Sequence, residues 1–549
     1  MHTRIGGIIV IAVALSAARG PEASASGNWT NTIDGTTLST NGPITVGDGF
    51  VASDTNAWFR VLNGGQFVVS GDTRLGLCYL GNYNGVVVNG PGSYWTNRAV
   101  MVGNSGQWNR VSIEAGGAVH SITGMIGRWS VASNNAVVVT GPGSTWTVPR
   151  LYVGAEGTGN GLVISNGGSV LSEGAYVSWR GRASDNRVVV TGPGSSWVDL
   201  GTVRVGETGS QNRVTLSDGG SLTAGGVQIG TPQGSSDQQF VDVAGGRLVV
   251  TNAGATAEVT VHPGSLTVSA GSMVADRILS PWSSQARLQF LGGTSTVGSV
   301  EVQAGGMLSI DGGVLRVGVL SGSMDFQLNS GTLSIATSSS VSQSISVGGT
   351  GAPAELVFEN PDGLYAFNDI NITNGGTLRG AGNGPTIGLG VGGTLAPAAG
   401  TTGLDVPQVY FAGGTYAAVL DATATGSRVE CDEAYLAFST YLDVDASACF
   451  APSGTVHVLV DCGVAAYLWS SFRLPDETVL ANGDTFTADG QEFSIHYDYD
   501  IDSGTYGTGN DIVLQQLPEP GAAILVALGG LLAAGGRRIL RRRARRDGP

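Results

Sequence analysis

From about residue 40 to residue 400 the chain alternates short β-branched runs with glycine-rich turns, and no apolar stripe at helical spacing interrupts them. Three segments are near copies: residues 86–95 (VVVNGPGSYW), 137–146 (VVVTGPGSTW) and 188–197 (VVVTGPGSSW), at spacings of 51 and 51. Between them stand variants of the same logic at 111–118 (VSIEAGGA), 162–169 (LVISNGGS) and 214–221 (VTLSDGGS). Aligning the second turn glycine gives Gly65, Gly92, Gly117, Gly143, Gly168, Gly194, Gly220 and Gly246, at steps of 25 to 27. The unit is therefore about 26 residues, and the 51-residue copy is two units.

Each unit reads as three short strands. The first is a β-branched run, followed by Gly-Pro-Gly-Ser or x-Gly-Gly, a turn in which proline suits the second position and glycine supplies positive φ at the third. A second strand follows, then a third ending in Val/Ile-Gly, as at Val102-Gly103, Ile126-Gly127, Val153-Gly154, Val205-Gly206 and Ile229-Gly230. A polar loop closes the unit on an asparagine: Asn84, Asn109, Asn135, Asn160, Asn186 and Asn212. Three strands and three turns in this length predict an all-β, right-handed parallel β-solenoid, in which each strand pairs with its equivalent about 4.8 Å away. Identical residues then form ladders, and the asparagines are expected to take left-handed φ and to hydrogen-bond up the stack. A propeller, whose blades need about 40–50 residues and four strands, fits the half-unit similarity less well. The pattern loosens after Gly246 but persists at 261–265 (VHPGS), 302–306 (VQAGG), 372–377 (ITNGGT) and 391–394 (VGGT). This allows roughly fourteen coils, or about 65 Å.

The two ends are of another kind. Arg4 precedes an apolar stretch from Ile5 to Ala18, and Ala23-Ser24-Ala25 supplies small residues for signal-peptidase cleavage after Ala25. At the other end, Pro518-Glu519-Pro520 is followed by a Gly/Ala/Leu/Val run from Gly521 to Gly536 and an arginine cluster including Arg537, Arg538, Arg541, Arg542 and Arg543. That run would rise about 24 Å as a helix against a hydrocarbon core of about 30 Å. Ile539 and Leu540, with snorkelling arginines, extend it to a marginal single span with its basic end cytoplasmic. In order and composition this tail resembles the PEP-CTERM sorting signal. The resemblance implies that an exosortase recognises the tail, cuts near the Pro-Glu-Pro and sends the body to the cell surface or matrix.

Charge narrows the partners. The chain has 27 arginines, no lysine, 42 acids and 89 glycines. Residues 26–520 keep 40 acids against 18 arginines, a net of −22. Nucleic acid is excluded as an expected partner, because phosphate backbones reward positive charge. The four cysteines (Cys78, Cys431, Cys449, Cys462) do not make a disulfide framework. A bridge between Cys449 and Cys462 and buried free thiols are both open.

From about Leu395 acids, aromatics and cysteines rise and the glycine repeats fade. The stretches 392–397 (GGTLAP), 411–420 (FAGGTYAAVL), 493–497 (FSIHY) and 509–514 (GNDIVL) resemble the C-terminal end of autotransporter-passenger β-helices, which caps the stack. No run of translocation-barrel strands follows here. The organisation expected is thus a signal peptide at 1–25, parallel β-helix coils at 26–395, a C-terminal β cap at 396–517, and a sorting signal with one hydrophobic helix at 518–549.

Candidate chemistry is sparse. Asp185, Asp199, Asp218 and Asp242 are not paired in sequence, and only His120 and His262 lie in the repeats, so no enzymatic activity and no cofactor are expected. Asp498, Asp500 and Asp502, at alternate positions, are the one candidate set of hard-cation ligands, although the twelfth position of an EF-hand is Gly509 here. Trp95, Trp146 and Trp197 share one column. Exposed, they would be a platform for sugar rings; buried, they are a core stack, which is the preferred reading. The expectation is an exported structural protein of the surface or exopolysaccharide matrix, met by signal peptidase, exosortase and, before processing, the membrane. The alternatives are an adhesin or carbohydrate-binding β-helix and a polysaccharide lyase or hydrolase.

Overall fold

The structure is a computed structural model that describes residues 23–25, 30–40, 42–47, 55–232, 238–281, 285–349, 352–399, 403–422 and 426–518. Every regular element among them is a strand. They form a parallel β-solenoid of about 16 turns, where fourteen were expected. The N-terminal apolar stretch expected to be a signal peptide and the C-terminal hydrophobic run lie outside the described residues. The chain divides into two compact units, residues 1–327 with 331–333 and residues 328–330 with 334–549.

In the first unit each coil is built on up to three strand positions, the second and third of which run on as one strand in several coils, as in Tyr94–Val102 and Ala118–Ile126. Trp58–Leu62, Gln66–Val69 and Asp72–Leu75 pair in parallel with Gly85–Asn89 and with the two halves of Tyr94–Val102. Alternation places one apolar side chain per strand at the same inward position. Phe59, Val86, Val111, Val137, Leu162, Val188, Val214, Val241, Leu266, Leu288 and Leu308 form one such column, in register and buried. Each buries a side chain worth about 1.5–3 kcal/mol, and its neighbours above and below are of matching size.

The turns correct two expectations. Gly92 does not sit over Gly65 and Gly117. The left-handed column is Gly64, Gly92, Gly116, Gly143, Gly167, Gly194, Gly219 and Gly245, with φ between 76° and 93°. Gly-Pro-Gly-Ser is one residue longer than x-Gly-Gly, so Ser93, Ser144 and Ser195 take the place that Gly65, Gly117, Gly168 and Gly220 hold in the alternate coils. The serine hydroxyls accept the amide protons of Gly64, Gly116 and Gly167 in the neighbouring turns at 3.0–3.1 Å. Two turn types in alternation are why the longer copy spans two coils.

The ladder asparagines, too, are not the left-handed residues. Positive φ falls one residue earlier, on Tyr83, Trp108, Asn134, Gly159, Asp185 and Gln211. That residue turns the chain so that the following asparagine points into the coil instead of out to water.

In the second unit the parallel ladders run on past residue 395. Val347, Ile372, Leu389, Phe411, Leu436 and Leu468 form one column, and Tyr441 still pairs in parallel with Arg473. Inward apolar positions persist although the glycine-rich turns fade, so the shift in composition at 395 is not a change of pairing. Antiparallel pairing joins Thr485–Ala488, Gln491–Asp500, Thr505–Tyr506 and Asp511–Gln516, the last of which also pairs with the start of Val456–Leu468.

Candidate functional site

The tryptophan column points inward. Phe67, Trp95, Val119, Trp146, Val170, Trp197 and Leu222 are in register on successive coils, and the three tryptophans are 0%, 2% and 0% exposed. From Trp95 onward large rings alternate with aliphatic residues, while Phe67 stacks on Trp95 at 6.1 Å; Gly124 leaves room for Trp146, since a Cβ there would meet its ring at 2.5 Å. This corrects the glycan-platform reading, because no ring face of Trp95, Trp146 or Trp197 reaches solvent. Trp146 and Trp197 donate Nε1–H to the hydroxyls of Ser121 and Ser172, both at 2.9 Å. Trp95 Nε1 has no partner; the equivalent residue one coil below is Val69. Trp95→Phe should therefore cost about 1 kcal/mol less stability than Trp146→Phe in urea unfolding, because only the second also strands a buried hydroxyl. Equal losses would mean that these hydrogen bonds carry no net stability.

Beside the column lies a second buried constellation. Asn84, Asn109, Asn135, Asn160, Asn186 and Asn212 each donate Nδ2–H to the side-chain oxygen of the next residue, ending on Gln239, at 3.0–3.2 Å. The same oxygens accept the preceding ladder residue's backbone N–H at 2.9–3.3 Å. All seven amides are at most 1% exposed, so their polar atoms are consumed inside the stack. Asp199, also buried, accepts from the Ser172 hydroxyl at 2.5 Å and the Gly201 amide at 2.9 Å, while burial holds its carboxyl above the usual range.

The remaining reactive side chains are placed apart. Asp498 accepts from Asn482 Nδ2 at 3.0 Å, and Asp500 accepts from the amides of Asp502 and Ser503 at 3.0 Å, capping a hairpin turn. Asp498, Asp500 and Asp502 do not converge, and no group of three metal-capable side chains does so among the described residues. His120 is exposed, whereas His262 is buried and held below its ordinary pKa by desolvation. Cys449 does not face Cys462, which corrects that pairing. Its thiol lies 3.6 Å from His457 Nε2 in the sealed core, and the neighbour of Cys462 is Cys431, in register on the adjacent coil.

The surface holds features that the repeat pattern concealed. Outward positions of the third strand run Met101, Met125, Tyr152, Tyr176 and Arg204 on successive coils. Tyr152 and Tyr176 stack at 5.3 Å, and the Arg204 guanidinium lies 5.3 Å from the Tyr176 ring. With Arg150, Glu173 and Ile122 they line a groove of about 500 Å³. Residues 98–213 hold nine arginines against six acids, a net of +3 within a body whose net is −22. The signal was the recurrence of one outward position about every 25 residues, hidden because its occupants differ in type. A second surface ladder, Tyr410, Tyr435 and Tyr467, stacks at 4.5 and 4.7 Å beside Trp469, which is 70% exposed.

No family model matches this chain. No curated protein matches it either. Of the two end segments read as export and sorting signals, the described residues include only the edges. Ala23–Ala25 pairs in parallel with Ile44–Val46, so cleavage after Ala25 would remove an outer strand and leave Ile44–Val46 to end its column. Pro518 is exposed, while Glu519, Pro520 and Arg537, Arg538, Arg541, Arg542 and Arg543 lie outside the described residues.

Proposed function

We propose that this chain is an exported, non-catalytic structural protein of the cell surface or exopolysaccharide matrix, sorted by an exosortase through its C-terminal tail. The observation that carries the reading is the order of that tail, Pro518-Glu519-Pro520, then the apolar run to Gly536, then the arginines, on a chain that opens with Arg4 and an apolar stretch. The body supports a mechanical role. Its ladder amides, the Trp146 and Trp197 N–H groups and the turn hydroxyls are spent on neighbouring coils, and the Cys449–His457 pair is shut in the core. Repeated backbone pairing of this kind makes a stiff, protease-resistant scaffold. The antiparallel strands between Thr485 and Gln516 serve as its C-terminal cap, covering a parallel edge that would otherwise offer unpaired groups to neighbours.

The test is cell fractionation in a host that carries an exosortase. The wild-type chain is expected at the surface without its tail, and a triple variant, Pro518→Ala with Glu519→Ala and Pro520→Ala, is expected to stay in the inner membrane with the tail attached. Equal surface release of both would overturn the sorting reading. A second reading, a carbohydrate-binding surface, is favoured by the Tyr152–Tyr176 groove with Arg150 and Arg204, and no longer by the buried tryptophans.

A further inference from the structure

Val456–Leu468 changes partner in its middle. Its first residues pair antiparallel with Asp511–Gln516, whereas Val460 onward pairs in parallel with Val429–Leu436. Cys462 sits at that junction. Its amide donates to Asp511 Oδ1 at 2.9 Å, and its carbonyl accepts from Asn510 Nδ2 at 2.6 Å. Its side chain faces Cys431, directly in register on the neighbouring coil, with the two Sγ atoms 3.8 Å apart. One residue further the register shifts, so that Glu433 lies opposite Ala465. Both cysteines are buried, and no other thiol is placed to compete: Cys449 lies against His457 and Gln516, and Cys78 belongs to the first unit.

We infer that Cys431 and Cys462 form a disulfide in the mature protein, a cross-coil staple at the place where the parallel stack meets the antiparallel strands. Adjacent strands bring their Cα atoms about 4.8 Å apart, within the range that a disulfide accepts, so closing the gap between the sulfurs takes side-chain rotation and not backbone movement. The step is an exchange. One thiolate attacks an oxidised dithiol catalyst, giving a mixed disulfide, and the second thiolate displaces the catalyst, which leaves reduced with two electrons and two protons. The contact with the Cys462 thiol and then burial push the Cys431 thiol up, so the bond forms while the last coil is still closing and not after it is sealed. The inference depends on the export reading only for the source of the oxidant. The bond joins residues 31 apart, a loop long enough for the crosslink to restrict the unfolded chain appreciably.

The test is alkylation of the unfolded full-length chain with iodoacetamide, followed by intact mass and peptide mapping. Protein from an oxidising compartment should take up two labels instead of four and yield one crosslinked peptide pair containing Cys431 and Cys462. Refolding of reduced protein with oxidised glutathione should give the same pair, and should do so in Cys449→Ser but not in Cys462→Ser. Reduction should speed proteolysis of the last coil about tenfold or more. Four labels in both preparations, or a crosslink through Cys449 or Cys78, would overturn the inference. A bond that forms in refolding but is absent from cell-derived protein would support the pairing and count against export.

Discussion

Asn135→Ala should lower the unfolding free energy by about 3 kcal/mol or more, although the residue touches no ligand and no catalytic group. Its side-chain oxygen accepts both the backbone N–H of Asn109, at 2.9 Å, and the Asn109 Nδ2–H, at 3.0 Å. Its own Nδ2 donates to Asn160 at 3.1 Å. Alanine removes the acceptor at a site that water does not reach. The Asn109 backbone amide is then stranded, and a void opens one coil deep. Stability in a stack is a sum over neighbouring coils, so the loss should appear first as faster hydrogen exchange at residues 109–111 and 160–162, ahead of the global transition. Urea unfolding followed by circular dichroism reads the size of the effect. A loss below about 1 kcal/mol would mean that the amide ladder is decoration.

Gly103→Ala is expected to be nearly as costly, and Gly181→Ala separates the reasons. Both glycines have left-handed backbones, with φ of 73° and 71°. A methyl group at 181 would meet nothing within 4 Å, so that variant should lose only the conformational term, about 1 kcal/mol. At 103 the same methyl group would lie 2.2 Å from the Asn135 amide carbon, so the variant should lose about 3 kcal/mol by displacing a ladder member. Equal losses at the two positions would show that backbone conformation alone selects glycine there. Ser178, which stands in the Gly103 row between Gly154 and Gly206, has φ of 74° and donates its hydroxyl to the Thr208 carbonyl, a bond that alanine cannot make.

The glycine and asparagine rows are linked through this geometry. Gly47, Gly103, Gly127 and Gly154 lie against Asn84, Asn135, Asn160 and Asn186, so each Val/Ile-Gly corner and each loop asparagine are two halves of one packing unit. Their common period was visible in the residues, but their contact was not, because the partners stand 32 to 37 residues apart and belong to different coils. The Gly-Pro-Gly-Ser turn misled for a related reason. Its two glycines invite alignment with Gly-Gly, yet the extra residue moves the serine into the second glycine's place.

What the sequence determined by itself was the period of the early coils and the parallel stacking, because a chain that repeats every 26 or so residues must place like over like if it coils at all. It also determined that the amides would meet in a ladder. Facing was decided only by the tertiary structure. A period-two strand can present Trp95, Trp146 and Trp197 to either side, and it is the packing of Val119, Val170 and Gly124 around them that turns the rings inward. The same holds for the surface groove of Tyr152, Tyr176 and Arg204 and for the facing thiols of Cys431 and Cys462. Both join residues that are distant along the chain and adjacent only once the coils are stacked, since neighbours across a parallel ladder are set by register and not by separation in sequence.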